Sequence, residues 1–211
     1  WKMKKLFVLI FVSLFAFCLV GCKEPEKPKP DPEKPESTAM TYQQYVDAEL
    51  ESEVEIEAYV QAKQSWWEDK ATVYLADKDG AYFAYNMVCS EADYQKLVPG
   101  VKINVKGYKT AWAGEVEIAA GATFTFVEGA DTYVAKAADV TTKLGDEAAL
   151  LAVQNQFVAF KELVVAPSYK DDGTEVAWLY KYNGTGSEGD DLYFNVNYLG
   201  KVYTFTVESY L

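Results

Sequence analysis

Apolar residues recur at every second position in several segments after residue 50, and this spacing constrains the fold more than any other feature. In the first segment Val54, Ile56, Ala58 and Val60 alternate with Glu, Tyr and Gln, which is typical of a strand with one buried face. Further strands are predicted at 71–76, 81–88, 101–106 and 116–126. The chain is therefore predicted to be mainly β.

Two short helices interrupt the strands, and their positions select a topology. Thr41 and Gln44 form a capping box that predicts a helix over 42–48, before the first strand. Ser90 predicts a second helix after the third strand, and Pro99-Gly100 ends it. The order strand, strand, strand, helix, strand, strand is that of the OB-fold, a five-stranded Greek-key barrel.

Several segments resemble the OB-fold domains of uncharacterised bacterial surface lipoproteins. They are Ile56-Glu57-Ala58-Tyr59-Val60, the hairpin from Asp77 to Tyr85, Leu97-Val98-Pro99-Gly100, Val105-Lys106-Gly107-Tyr108 and the run from Gly107 to Ile118. The resemblance spans about 41–128 and implies an OB-fold domain over 41–130. It transfers no catalytic residue.

Residues 131–211 are predicted to form a second OB-like domain that is incomplete at its C-terminus. A helix is predicted at 146–154, a strand at 157–165, and a hairpin around Tyr198-Leu199-Gly200-Lys201. This order repeats the first half of the barrel. The alternative is an extension of two sheets that packs on the first barrel.

Residues 1–22 have the organisation of a bacterial lipoprotein signal peptide. Met3-Lys4-Lys5 is a basic start, and 6–20 is an apolar run that is short for a membrane span. Leu19-Val20-Gly21-Cys22 resembles the lipobox. This resemblance implies lipidation of Cys22 and an extracytoplasmic protein anchored to the cell membrane or outer membrane. The alternative is a transmembrane anchor, or an ordinary signal peptide with a chance cysteine.

Residues 23–40 are predicted to be a flexible linker. Five of the seven prolines of the chain lie there, among Lys, Glu and Asp residues. Such a composition buries too little apolar surface to offset the entropy of ordering, so it favours an extended, solvated tether. The linker would hold the folded part away from the lipid surface.

The charge and the missing residue types exclude several functions. The net charge is −12, every basic residue is Lys, and there is no His. Such a chain repels a phosphate backbone, which disfavours nucleic-acid binding, and it lacks the usual general base and zinc ligand. Asp77 to Gly80 fits a hairpin turn better than a calcium loop, and Glu115 and Glu117 fit a solvated strand better than a catalytic pair. We therefore predict no enzyme activity, no cofactor and no metal site.

Aromatic residues supply the candidate binding site. OB-folds bind ligands on the face of strands two and three, next to the loops that join strands one to two and four to five. Trp66 and Trp67 lie on the first of these loops and Trp112 on the second, and we expect a closed barrel to bring both loops to one rim. The strands between them supply Tyr74, Tyr82 and Tyr85, and the long loop at 168–191 of the second copy supplies Trp178, Tyr180 and Tyr182.

Flat aromatic surfaces suit stacking on sugar rings, so the predicted ligand is a glycan, a peptide or another protein. The first alternative is that these indoles cap the barrel or pack against the second copy, as in a structural subunit of a surface complex. The second is an OB protein that binds single-stranded nucleic acid, which the charge disfavours.

Overall fold

A computed structural model describes residues 37–180 and 191–208, which belong to one compact unit that begins at Ser37. The predicted signal peptide, Cys22, most of the linker and Tyr182 lie outside the described residues. Within the described ranges, no helix is both long enough and apolar enough to cross a bilayer.

The first described residues already contact the barrel. The backbone N–H of Met40 donates to the carbonyl of Glu55 at 2.7 Å, and Ser37 and Thr38 donate side-chain hydrogen bonds to Glu57 and Glu55. The last four residues of the predicted linker are therefore part of the folded unit.

The elements of the first part follow the predicted order. They are α1 (Tyr42–Asp47), β1 (Glu53–Lys63), β2 (Lys70–Ala76), β3 (Ala81–Val88), α2 (Glu91–Tyr94), β4 (Lys102–Trp112), β5 (Glu115–Ile118) and β6 (Thr123–Phe126). The capping box of Thr41 and Gln44 forms as predicted, with both hydrogen bonds present. The predicted fifth strand at 116–126 is in fact two strands, because the chain turns at Gly121 (φ +86°).

The first five strands close into a barrel, which confirms the prediction of a mainly β, OB-like fold. The strand order is β1-β2-β3-β5-β4, and β4 pairs back with β1. The pair β3–β5 is parallel and the others are antiparallel. Strand β6 adds a further antiparallel pair to β4, from Ile103–Phe126 to Lys106–Thr123.

The strand registers are staggered around the barrel. Tyr59 of β1 pairs directly with Lys102, at the start of β4. The path in the other direction, through β2, β3 and β5, leads to the Trp112 end of the same strand. This displacement along β4 is the shear that tilted strands need to close a barrel.

The barrel interior is the core of the molecule. Alternate residues of each strand point into it, as the period of two requires. Its fully buried side chains include Val54, Ile56, Val60, Val73, Leu75, Met87, Leu97, Ile103, Val105 and Ile118. Helix α1 packs against the core through Tyr45, whose ring contacts that of Tyr82 at 5.0 Å.

The second part consists of short elements and one larger sheet. They are β7 (Ala138–Asp139), a 3₁₀ turn (Thr141–Lys143), α3 (Glu147–Leu151), β8 (Val158–Ala159), β9 (Val164–Ala166), β10 (Ser168–Tyr169), β11 (Glu175–Val176), β12 (Trp178–Tyr180), β13 (Leu192–Tyr198) and β14 (Lys201–Val207). The predicted strand at 157–165 is split into β8 and β9, since the intervening residues leave the extended ladder.

Strand β13 is central to this sheet, between β14 on one side and β9 and β12 on the other. The order helix α3, strand β9, hairpin β13–β14 matches α1, β1, β2–β3 of the barrel. That this part is a second, incomplete OB-like copy stays a prediction.

Candidate ligand-binding surface

Two exposed indoles occupy the same position in two tight turns. Trp67 is 71% exposed and precedes Glu68 and Asp69, whose φ angles are +47° and +55°. Trp112 is 76% exposed and precedes Ala113 and Gly114, with φ angles of +50° and +95°. Two successive residues with positive φ are the mark of the type I′ turn, which joins antiparallel strands tightly.

Each turn fixes its tryptophan by backbone pairing. Trp67 and Lys70 exchange both backbone hydrogen bonds, at 3.3 and 2.9 Å, and Trp112 is the register partner of Glu115. The carbonyl of Asp69 also accepts the N–H of Cys89 at 2.8 Å, which ties the first turn to the end of β3. The backbones that carry the indoles are therefore preorganised, which lowers the entropy lost when a ligand binds.

The two turns lie level with opposite ends of β3. Lys70 pairs with Val88 at the end of β3, whereas β5 runs parallel to β3 and begins level with its start. The eight residues of β3 place the turns on the order of 20 Å apart. The expectation that both loops meet at one rim is therefore wrong, because the parallel β3–β5 pair carries the Trp112 turn to the far end.

A row of three rings lies on the outer face of β2 and β3, between the two turns. Phe83 is central, with its ring centroid 4.9 Å from Tyr74 and 6.5 Å from Tyr85. Tyr85 is 42% exposed, Tyr74 is half-buried and Phe83 is buried. Gln64 donates to the Tyr74 hydroxyl at 3.3 Å and orients that ring. Tyr85 is therefore the member of this row that presents most surface to a ligand.

Tyr82 does not belong to this surface, in contrast to the prediction. Its side chain is 1% exposed and lies in the barrel core against Tyr42 and Tyr45, and its hydroxyl donates to Asp77 at 3.1 Å. The reason is the period of two, which directs Tyr82 inward when Phe83 and Tyr85 lie outside.

Trp66 has a structural role. Its side chain is half-buried, and its indole N–H donates to the Cys89 carbonyl at 2.9 Å. Cys89 itself is buried, and burial raises the pKa of its thiol. Of the two adjacent tryptophans, Trp67 is therefore the one available to a ligand.

The residues predicted on the second loop are part of the second sheet. Trp178 and Tyr180 lie on β12, paired with Phe194 and Leu192 of β13. Trp178 is exposed and Tyr180 is half-buried. They are held by a sheet rather than by the long loop that the sequence predicts, and no hydrogen bond in the described residues joins them to the Trp67 or Trp112 turn.

Two side chains that sequence reasoning missed hold the second part to β5. The Val116 N–H donates to the Gln154 side-chain oxygen at 2.7 Å, and Asn155 Nδ2 donates to the Val116 carbonyl at 2.9 Å. The segment after α3 therefore lies against β5, beside the Trp112 turn. Nothing in the sequence marks these amides, because a Gln-Asn-Gln run is equally typical of a solvated loop.

Carboxylates surround the Trp112 end of the face. Partial burial raises the pKa of Glu115, and the charges of Glu117 and Glu208 raise it further. Burial also raises the pKa of Tyr74, which lies near Glu115 and Glu208. In the described part of the chain, no group of His, Cys, Asp and Glu is arranged to hold a metal ion.

No protein-family model and no curated protein matches this chain.

Proposed function

We propose that this chain is a lipid-anchored, extracytoplasmic binding protein whose OB-fold domain contacts an extended glycan through Trp67 and Trp112. The observation that carries the proposal is the pair of exposed indoles, each held by a type I′ turn. The anchor and the location rest on the lipoprotein-like signal at 1–22 and the lipobox cysteine, Cys22.

The free energy that burial of these indoles can contribute is large enough to support ligand binding. Burying a tryptophan removes roughly 150–250 Å² from water, and each Å² of apolar surface contributes about 25 cal/mol. Each indole thus offers about 4 kcal/mol before the entropy lost on association is subtracted. Two such contacts are needed for useful affinity, which favours a ligand that reaches both.

The separation of the turns selects the ligand's shape. A single sugar ring cannot span on the order of 20 Å, whereas an extended polymer can. The centre of the face is largely closed, since Phe83 and Glu117 are buried. A polymer that contacts the two ends, with Tyr85 adjoining the Trp67 end, fits this arrangement.

A protein ligand is the second candidate. Exposed apolar side chains on the second sheet favour it, namely Val164, Val165, Trp178, Leu199 and Val202. Such side chains are typical of a protein interface when they cluster. Nucleic acid is disfavoured by the net charge of −12.

The test is a titration of the full chain, in detergent, with soluble hexasaccharides of glucose, xylose, mannose and N-acetylglucosamine. We expect at least one hexasaccharide to change the tryptophan fluorescence and to bind in calorimetry. Trp67→Ala and Trp112→Ala should each weaken that binding by roughly tenfold or more. Trp178→Ala is the matched control and should leave it unchanged.

A flat response to every sugar, together with self-association of the chain, would favour the structural-subunit alternative. Binding that survives both alanine substitutions would place the glycan elsewhere on the molecule.

A further inference from the structure

Strand β14 forms one edge of the second sheet, and in the described part of the chain no strand pairs with its outer side. It has seven residues, whereas the other described strands with a neighbour on one side only have four or fewer. Such an edge presents a row of backbone donors and acceptors, which is a template for a further strand. The outer side of β14 is therefore the longest uncovered edge among the described strands.

The turn before β14 determines which backbone groups face outward. The two-residue turn 199–200 has positive φ at both positions, and it makes the residues on either side of it a hydrogen-bonded pair. From that pair onward, every second residue of β14 bonds to β13. The backbone N–H and C=O groups that point away from β13 are those of Val202, Thr204 and Thr206.

The interior of β14 lacks the features that usually keep an edge strand from pairing. It contains no proline and no charged residue, and its register with β13 is regular from Lys201 to Val207. The five residues between these two are all β-branched or aromatic, the types that favour strands. The edge is therefore both uncovered and suited to pairing.

A second copy of β14 in antiparallel orientation complements this edge. A two-fold axis at Thr204 places that residue opposite its counterpart and places Val202 opposite Thr206. All three positions have outward backbone groups, so about six hydrogen bonds form across the axis. On the face that carries the aromatic rings, Tyr203 lies opposite Phe205 of the second copy, and aromatic cross-strand pairs are favourable.

The charges at the two ends of the strand make it complementary to itself. Lys201 begins β14, and Glu208 follows its last residue. In the antiparallel register Lys201 of one copy lies opposite Val207 of the other, one residue from Glu208, so opposite charges approach at both ends. A parallel pairing would instead bring the two lysines together at one end and the two glutamates at the other.

An open apolar groove beside β14 adds surface for the second copy. It has a volume of about 430 Å³ and borders β14 through Tyr203, while α3 supplies Leu150 and Leu151. Phe205 of the second copy, opposite Tyr203, would lie next to this groove. Burial of apolar surface there adds to the backbone hydrogen bonds, whose net contribution is modest because they replace bonds to water.

We propose that two copies of this chain associate through β14, so that their second sheets join into one continuous sheet across a two-fold axis. Each copy offers one long edge, so the assembly closes at two copies. The inference goes beyond the proposed function and does not depend on it. A dimer would present the exposed indoles of two barrels, which strengthens binding of any extended ligand that reaches both.

The first test measures the association of the full chain in detergent by sedimentation velocity, with Thr204→Pro and Thr204→Val. Proline removes the outward N–H at the axis without removing a hydrogen bond to β13, so each copy should keep its fold and its circular dichroism spectrum. Valine keeps the N–H and is the matched control, since both variants lose the bond from Thr204 to Asn195. We expect the parent and Thr204→Val to be dimers, and the dissociation constant of Thr204→Pro to rise about tenfold or more.

The second test reads the register by cysteine cross-linking under mild oxidation. Thr204→Cys places two cysteines opposite each other with Cα atoms about 5.5 Å apart, which a disulfide spans. The matched control is Val202→Cys, because that position is also exposed and on the same face. Its two copies lie roughly 14 Å apart, beyond the reach of a disulfide. We expect a covalent dimer from Thr204→Cys, and from Val202→Cys no more than from the parent.

Three outcomes would overturn the inference. A monomeric parent chain would leave the edge to a strand of another protein. Equal association of the parent and Thr204→Pro, or equal cross-linking of the two cysteine variants, would place the contact elsewhere. Open-ended assemblies would contradict closure at two copies. None of these results bears on the sugar titration, which alone decides the proposed glycan function.

Discussion

Replacing Lys109 with methionine is expected to lower the free energy of unfolding by about 3 kcal/mol. The Lys109 side chain is 5% exposed, and its ammonium donates to three backbone carbonyls at the end of α1. The acceptors are Tyr45, Val46 and Ala48, at 2.9, 2.8 and 2.6 Å. Methionine keeps the length of the side chain but leaves these helix-end carbonyls without their donor.

The magnitude follows from competing terms. Hydrogen bonds to a charged group each contribute roughly 1.5–3 kcal/mol, but burial of the ammonium offsets part of that sum. Burial also lowers the pKa of Lys109, because the same desolvation disfavours the charged ammonium. A net loss of about 3 kcal/mol corresponds to a fall in Tm of about 6–12 °C for a folded unit of this size.

The assay is urea denaturation followed by circular dichroism, with Lys106→Met as the matched control. Lys106 lies on the same strand, is exposed, and pairs with Glu55 at 3.1 Å. A surface pair of this kind contributes less than about 1 kcal/mol. If the two methionine variants lost the same stability, the reasoning about the end of α1 would be refuted.

Two further substitutions test the packing and the electrostatics of β4 and β5. Gly107→Ala should lower the free energy of unfolding, measured by urea denaturation, by about 1–3 kcal/mol. The reason is that a Cβ at this position would lie 2.7 Å from Ala122 Cβ and from Ile118 Cγ2. Unchanged stability would mean that these groups move apart freely. Glu117→Gln should have a larger free energy of unfolding than the parent at pH 7, and the same value as the parent below about pH 4. The reason is that burial raises the pKa of Glu117 in the folded state. As the pH rises through 4.5, the carboxyl group therefore loses its proton in the unfolded chain first. The free energy of unfolding of the parent then falls until the pH has passed the folded-state pKa. An equal difference at both pH values, measured by urea denaturation, would contradict this account.

The barrel could be predicted from the sequence because its determinants are local. The period of two marked β1 and the first half of β4, and the cap at Ser90 placed the helix between β3 and β4. These features set the strand order of an OB-fold without any long-range information. The boundary between β5 and β6 was missed, since Gly121 is one of several small residues in a row.

The faces of β3 were harder to predict because the strand is almost wholly apolar. Its burial pattern gives no alternation over Ala81–Ala84, so hydrophobicity could not separate inside from outside. The spacing of the two tyrosines could have separated the faces, since Tyr82 and Tyr85 are three residues apart and a regular strand directs such residues to opposite faces. The same argument applies to Trp66 and Trp67, of which the first turns toward Cys89 and the second is exposed.

The position of the two turns depended on pairing that the sequence does not encode locally. Type I′ turns at Glu68-Asp69 and Ala113-Gly114 bring each tryptophan to a strand end, but only the parallel register of β3 and β5 sets their separation. Long-range registers of this kind have no periodic signal. The burial of Lys109, by contrast, does have a periodic signal, because Lys109 lies an even number of residues after the inward-facing Ile103 and Val105 on β4.

The most direct test of ligand contact observes each indole separately. The full chain, labelled with ¹⁵N, gives a separate indole N–H signal for each tryptophan, assigned by single Trp→Phe variants. On titration with the glycan that binds in calorimetry, the signals of Trp67 and Trp112 should shift together with the same dissociation constant, while that of Trp66 stays fixed by its hydrogen bond to Cys89. Shifts confined to Trp178, or no shift of either exposed indole at saturation, would contradict the central claim.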